Sequence, residues 1–154
     1  MRLRFDGKLL RVTGRGRSVQ YPAASGKEAT PKSEGFEPLP EGSYWIQSDE
    51  IHELGVFDDL SAKLGAAALA LSFERAWEAH TAAWGRYRIP IRQTGRQRTK
   101  TGRGQFFIHG GKTPGSAGCI DLTSQMPSFV HHIREAHPEG RGFIPLQVKY
   151  ERTR

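Results

Sequence analysis

The stretch FIHGGKTPGSAGCIDL, residues 107–122, decides how this sequence is interpreted. It overlaps a run of β-forming residues, Gln105 to His109, which has a glycine on each side. This pattern predicts a strand that ends at His109. Four glycines lie between His109 and Cys119. Glycine adopts backbone conformations that other residues avoid, so such a loop can fold back on itself. We therefore expect His109 and Cys119 to approach each other.

Cys119 and His109 are the residue types of a thiol nucleophile and its general base. A thiolate attacks far better than a thiol, and an adjacent histidine can take the thiol proton. Backbone N–H groups of the glycine-rich loop could converge on an oxyanion. Spacing alone leaves two other interpretations open. Cys119 could be a small buried core residue, or a metal site could form from His109, Cys119 and Asp121 with one of His131, His132 or His137.

Length and composition indicate one soluble domain. The 154 residues, 36% of them hydrophobic, fit a single domain spanning residues 1–154. A single cysteine excludes an intramolecular disulfide framework. The sequence after Met1 has no apolar signal-peptide run and no later stretch is long enough to span a membrane, so we expect synthesis in the cytoplasm and no membrane insertion.

Turn signals and hydrophobic periodicity predict a domain with more strands than helices. Asp6-Gly7 predicts a β-hairpin, and Pro90 predicts that the strand Tyr87 to Ile91 is an edge or bulged strand. Apolar residues recurring every three or four positions predict helical structure from Asp58 to Ala83. Further predicted strands are Ser18 to Tyr21, Ser43 to Ile46 and Phe143 to Tyr150, and a helix is predicted near Ser124 to Ala136. The pattern favours a mostly antiparallel α+β or all-β domain.

The segment from His109 to Leu122 resembles the active-site signature of YkuD-type L,D-transpeptidases. Residues 115–122, GSAGCIDL, are most similar to the branch found in type VI secretion effectors. Pro40, Gly42 and Tyr44 resemble the Pro-x-Gly-x-Tyr element of the same family. The resemblance implies a mostly β, α+β fold, a β-sandwich with a C-terminal helix, in which residues 58–84 are a helical insertion.

The same resemblance implies roles for individual residues. Cys119 would be the nucleophile that forms a thioester with a peptidoglycan stem peptide, and His109 its base, with Ser116 orienting the imidazole. The backbone N–H groups of Gly118 and Cys119 would hold the oxyanion, and no cofactor is expected. Substrate contacts are expected from Gly110, Gly111 and Ser116, and also from Arg103, an arginine of the basic stretch before the motif that can bind a stem-peptide carboxylate through two hydrogen bonds. Many members have His before Gly-Cys and Arg shortly after the Cys, where this sequence has Ala117 and Asp121.

The net charge of +7 allows a second class of function. No Asp or Glu lies between Ala79 and Ile120, a stretch with eight Lys and Arg residues, so a nucleic-acid-binding module is one alternative. A different thiol amidase or peptidase of the cell wall is another. Three tryptophans could line a cleft: Trp45, Trp77 and Trp84.

The interpretation we favour excludes a nucleic-acid partner. It predicts an antibacterial toxin that is made in the cytoplasm without a signal peptide, is secreted, and acts in the periplasm of a target bacterium. Its expected partners are peptidoglycan stem peptides, a cognate immunity protein and a component of the secretion apparatus.

Overall fold

The computed structural model describes residues 1–26, 37–53, 85–95, 105–112 and 118–151. The predicted helical insertion at 58–84 lies outside these residues, as do Arg103 and Ser116.

Nine strands and one α-helix make up the described part of the chain. The strands are β1 (Arg2–Phe5), β2 (Leu9–Gly14), β3 (Arg17–Pro22), β4 (Gly42–Gln47), β5 (His52–Glu53), β6 (Tyr87–Gln93), β7 (Phe106–His109), β8 (Ile120–Asp121) and β9 (Phe143–Val148). A 3₁₀ turn (Thr123–Gln125) leads into helix α1 (Met126–Ala136). The strands follow the spatial order β3-β2-β1-β9-β4-β6-β7-β8, and β5 pairs with β6. The prediction of a mostly β domain with a C-terminal helix is confirmed.

The N-terminal hairpin forms where the Asp6-Gly7 turn was expected. The Asp6 carboxylate accepts hydrogen bonds from the backbone N–H groups of Lys8 at 2.9 Å and Leu9 at 2.8 Å. This contact satisfies the donors of the turn and fixes the register in which Phe5 lies opposite Leu10.

Two parallel pairings interrupt an otherwise antiparallel sheet. β1 runs parallel to β9, with Leu3 opposite Leu146, and β7 runs parallel to β8, with Ile108 opposite Ile120. The first pairing joins the two ends of the described chain. The second positions the residues around Cys119.

Of the two alternatives predicted for Tyr87 to Ile91, an edge or a bulged strand, the edge strand is wrong, because β6 lies inside the sheet between β4 and β7. Pro90 is tolerated there for a local reason. On one side β6 pairs with β7 over residues 88–91, with Pro90 opposite Phe107. On the other side β5 pairs at residues 87–88 and β4 at residues 92–93, so Pro90 occupies the interval between them, where a missing N–H breaks no ladder bond.

The core lies between the inner face of the curled sheet and helix α1. The helix contributes side chains at the spacing of one helical face, Met126, Phe129, Val130 and Ile133, all buried. Phe129 packs edge-on against Tyr21 of β3, with ring centroids 5.5 Å apart. The strands contribute alternate residues, such as Ile89 and Ile91 of β6 and Phe106 and Ile108 of β7. Consequently the intervening residues of β6 and β7, among them Arg88, Phe107 and His109, share the other face.

Tyr44 explains the Pro-x-Gly-x-Tyr pattern. Its buried hydroxyl donates a hydrogen bond to the Pro40 carbonyl at 2.8 Å and so closes the turn before β4. We expect Tyr44→Phe to lower the free energy of unfolding by about 1 kcal/mol, the usual net value of one such bond. Urea denaturation checks this, and an unchanged midpoint would contradict it.

Candidate active site

His109 ends β7 with its ring fully buried. Its Nδ1 atom lies 2.7 Å from the Gly110 carbonyl oxygen. A carbonyl oxygen only accepts, so Nδ1 carries the hydrogen and donates it, which leaves Nε2 able to accept a proton. Burial lowers the pKa of His109 below its ordinary value, while the Gly110 carbonyl and the Asp121 charge act in the opposite direction. The neutral imidazole, the form that a general base needs, is therefore favoured.

Gly110 holds its carbonyl in place because α1 packs directly against it. A Cβ atom at position 110 would lie 2.7 Å from the Thr123 carbonyl oxygen and 2.8 Å from Cβ of Met126. No side chain fits there without displacing the start of the helix. Gly110 is thus required by packing, and it positions the carbonyl that orients the imidazole.

Strand β8 brings the cysteine segment alongside His109. His109 lies opposite Asp121, and the Leu122 N–H donates to the His109 carbonyl at 2.8 Å. Asp121 is 1% exposed, and its carboxylate accepts a hydrogen bond from the Thr123 N–H at 2.7 Å. Its backbone also bonds both ways with Ala24, at 2.8 and 2.9 Å. The short strand is therefore held on both sides.

Cys119 immediately precedes β8 and is 3% exposed. Since Ile120 lies opposite Ile108, Cys119 comes next to Phe107 when the register is continued by one residue. Gly118 before it has a φ of +72°, a conformation that favours glycine. His109 therefore ends one strand, and Cys119 immediately precedes the adjacent strand of the same sheet.

Arg88 is a residue of this site that sequence reasoning did not single out. It lies on β6 directly opposite His109 and is 8% exposed. Its guanidinium sits over the Phe107 ring, 5.1 Å from the centroid. Burial lowers the pKa of Arg88, and the charge of Cys119 acts in the opposite direction. The only sequence signal was its membership of the basic stretch.

The same face carries a cavity of about 360 Å³ beside Arg88 and Phe107. His52 and Arg92 also line it. Burial lowers the pKa of His52, and the neighbouring Arg88 adds to this effect. Arg92 forms a two-point ion pair with Glu50 and stacks over Trp45, so its charge is compensated.

Four of the eight cations in the basic stretch lie in the described ranges, and three of them are ion-paired or buried, whereas Lys112 is exposed. Arg86 pairs with Glu53 at 2.7 Å, Arg92 pairs with Glu50, and Arg88 is buried.

The described ranges also hold no group of three His, Cys, Asp or Glu side chains that could bind a metal. Gly111 is half-buried at the end of the described loop. Arg103, Ser116, Trp77 and Trp84 lie outside the described residues, so their roles stay predictions.

The family model of the YkuD L,D-transpeptidase catalytic domain matches residues 6–139. The chain belongs to this family. The YkuD fold agrees with the mostly β architecture and single helix described above, and members of the family are cysteine L,D-transpeptidases that act on peptidoglycan. The resemblance inferred from residues 109–122 is confirmed at the level of the family.

One solved structure supports the fold of this YkuD domain. Bd1075 from Bdellovibrio bacteriovorus matches with a TM-score of 0.51 and 14% sequence identity, covering 95% of this chain. The chain spans 46% of the length of Bd1075. No curated protein matches the sequence. In the part of the chain that the structure describes, no helix has the length and apolarity to cross a membrane.

Gly85 supports the site of this YkuD domain from the neighbouring segment. Its φ is +67°, and a Cβ there would lie 2.9 Å from the Gly110 carbonyl carbon and 3.0 Å from the Gly111 nitrogen. We expect Gly85→Ala to lower both the free energy of unfolding and turnover, because the methyl group pushes the backbone that orients His109. Gly95→Ala is a matched control, since Gly95 has a φ of +87° but nothing near its Cβ position.

Left-handed backbone strain of about 1–2 kcal/mol applies to both variants. Denaturation and turnover measurements on the two variants separate the effect of backbone strain, which both share, from the effect of the contact with Gly110 and Gly111, which only Gly85→Ala makes. Equal turnover in Gly85→Ala and Gly95→Ala would contradict the supporting role of Gly85.

Proposed function

We propose that this YkuD domain is a cysteine L,D-transpeptidase and L,D-carboxypeptidase in which Cys119 is the nucleophile and His109 the base. Its substrate would be the tetrapeptide stem of peptidoglycan, attacked at the carbonyl that precedes the terminal D-residue. The observation that carries the proposal is the His109 hydrogen bond to the Gly110 carbonyl, which leaves Nε2 as the proton acceptor. The adjacency of β7 and β8 supports it.

The proposed reaction proceeds through a thioester. His109 takes the Cys119 proton, the sulfur attacks the carbonyl carbon, and the backbone N–H groups of Gly118 and Cys119 stabilise the oxyanion. Collapse of the intermediate breaks the C–N bond, and the protonated imidazole returns its proton to the departing amine of the D-residue. Water then hydrolyses the thioester, or an incoming D-amino acid replaces the lost residue.

Substrate binding is proposed for four residues: Arg103, Gly110, Gly111 and Ser116. Stem peptides end in a carboxylate, which an arginine such as Arg103 can bind through two hydrogen bonds. Gly110 and Gly111 adjoin the imidazole, so their backbone groups are suited to contact the peptide. Ser116 stays our proposed additional orienting group for His109.

The test is incubation of the protein with purified tetrapeptide muropeptides, with and without an added D-amino acid, followed by mass analysis of the products. We expect loss of one terminal D-residue, or its exchange for the added amino acid. Tripeptide muropeptides, which lack the scissile bond, are the control and should stay unchanged. Release of whole stem peptides from glycan would instead identify an amidase.

We also propose that the domain acts as a type VI secretion effector in the periplasm of a target bacterium, with a cognate immunity protein in the producer. The similarity of residues 115–122 to the effector branch supports this proposal. Expression in a test bacterium with and without a fused export signal checks it. Growth arrest only with export is the expected result, and harmless periplasmic expression would contradict the proposal.

A further inference from the structure

Arg88 lies on the same sheet face as the proposed nucleophile but two strands away. Adjacent strands are about 4.8 Å apart, so roughly 10 Å separates β6 from β8. The Arg88 side chain extends over β7, where its guanidinium lies 5.1 Å from the centre of the Phe107 ring. Phe107 is the residue of β7 next to Cys119 in the continued register. The long arginine side chain therefore brings a positive charge toward the cysteine.

Four titratable or charged side chains, in one register row across β5 to β8, share the sheet face of Cys119. They are His52 of β5, which lies opposite Arg88, Arg88 of β6, His109 of β7 and Asp121 of β8. Burial lowers the pKa of both histidines, so both favour their neutral forms. The Asp121 carboxylate opposes a second negative charge nearby. Among these four groups Arg88 is the one that stays protonated at any pH the protein tolerates.

We propose that Arg88 is the counter-ion that stabilises the Cys119 thiolate formed when His109 takes the thiol proton. Arg88 is thus a positioning residue, and its role rests on the proposed function of Cys119 as nucleophile. The S–H bond of Cys119 breaks, the proton passes to Nε2 of His109 and the electron pair stays on sulfur, while Arg88 keeps its own proton. The Phe107 ring holds the guanidinium by a cation–π contact.

Residues 113–122, which flank Cys119 in the sequence, include no Lys or Arg. Many YkuD-type enzymes have His before Gly-Cys and Arg shortly after the Cys, and this sequence has Ala117 and Asp121 there. Arg88 supplies a positive charge to the nucleophile from a different part of the chain. The buried position of Arg88 suits this role, because water screens a buried charge poorly.

The test is a pH titration of the thiolate by its ultraviolet absorbance, which the neutral thiol lacks. Cys119 is the only cysteine, so subtraction of a Cys119→Ser titration removes the tyrosine signal. We expect a pKa below the free-thiol value of about 8.5. Arg88→Met and Arg88→Gln should raise it by about one unit or more, and Arg88→Lys should restore most of the shift.

Arg92→Met is the matched control. Arg92 lies four residues further along the same strand and face, but it is paired with Glu50, so its loss should leave the Cys119 pKa unchanged. Arg88→Met and Arg88→Gln both remove the charge, and thermal unfolding shows which of the two variants is folded and can be used for the titration. A pKa at or above the free-thiol value in the unsubstituted protein, or one unchanged in a folded neutral variant, would overturn the role of Arg88.

The titration contains no peptidoglycan, so it separates the two proposals. A low thiol pKa that depends on Arg88, together with unchanged tetrapeptide muropeptides, would overturn the proposed substrate and leave the counter-ion role in place. Turnover of tetrapeptide muropeptides that is unchanged in the Arg88 variants would support the proposed substrate and overturn the counter-ion role of Arg88.

Discussion

Cys119→Ala is expected to abolish turnover of tetrapeptide muropeptides, with a loss of at least about 10⁴-fold, because removal of a nucleophile leaves only binding and oxyanion stabilisation. Since this chain has one cysteine, no second thiol can replace it. The measurement is the rate of release of the terminal D-residue, followed by product mass. Intact-protein mass analysis should also detect the acyl adduct in the unsubstituted protein and not in the variant.

The fold should tolerate this change. Alanine is smaller than cysteine, so the variant leaves at most a small gap at a buried position, and its unfolding midpoint should stay close to that of the unsubstituted protein. Ser124→Ala is a control at an exposed position shortly after β8 and should retain full turnover. Activity that survives in Cys119→Ala would return Cys119 to the core and reject the proposed mechanism.

His109→Gln is expected to lower kcat/KM by about 10³-fold, the usual effect of losing a general base. Glutamine can still donate to the Gly110 carbonyl but cannot take the thiol proton near neutral pH. The measurement is steady-state turnover alongside thermal unfolding. A folded variant with turnover within about tenfold of the unsubstituted protein would remove His109 from the mechanism.

The pH dependence of the same reaction follows from the burial of His109. A protonated imidazole cannot act as a base, so kcat/KM falls as pH drops through the His109 pKa. Burial lowers that pKa, so the acid limb should lie below the ordinary histidine value of 6.5. The Asp121 charge acts in the opposite direction, and Asp121→Asn should therefore move the limb to still lower pH. A limb above 6.5 would contradict this account.

Local signals in the sequence were sufficient for much of the fold. In the Asp6-Gly7 hairpin, the Asp6 carboxylate accepts a hydrogen bond from a backbone N–H group of the same turn. Strand β7 depends on a short run of β-forming residues. Neighbouring residues alone therefore specify both elements. The proximity of His109 and Cys119 was predicted because a thiol nucleophile needs a base within reach. The structure brings the two segments to adjacent strands, as that reason requires.

Arg88, Pro90 and Gly110 could not be interpreted without the register of the sheet. The sequence places Arg88 and His109 far apart, and only the pairing of β6 with β7 makes them neighbours. Pro90 predicted an edge strand, because its position between two separate pairing partners is a property of the assembled sheet. The need for glycine at 110 comes from helix α1, which follows it in sequence.

The pairing of β1 with β9 has a consequence for how the protein acquires its reactivity. Leu3 lies opposite Leu146, so the sheet cannot close until the ribosome has released nearly all of the described chain. Pairings between such distant residues form slowly, because the entropy of closing a long loop must be overcome before any contact compensates for it. We therefore expect Cys119 to keep the chemistry of an ordinary free thiol until the sheet has formed. Its proposed reactivity would be a property of the completed fold, gained only when the first and last strands have paired.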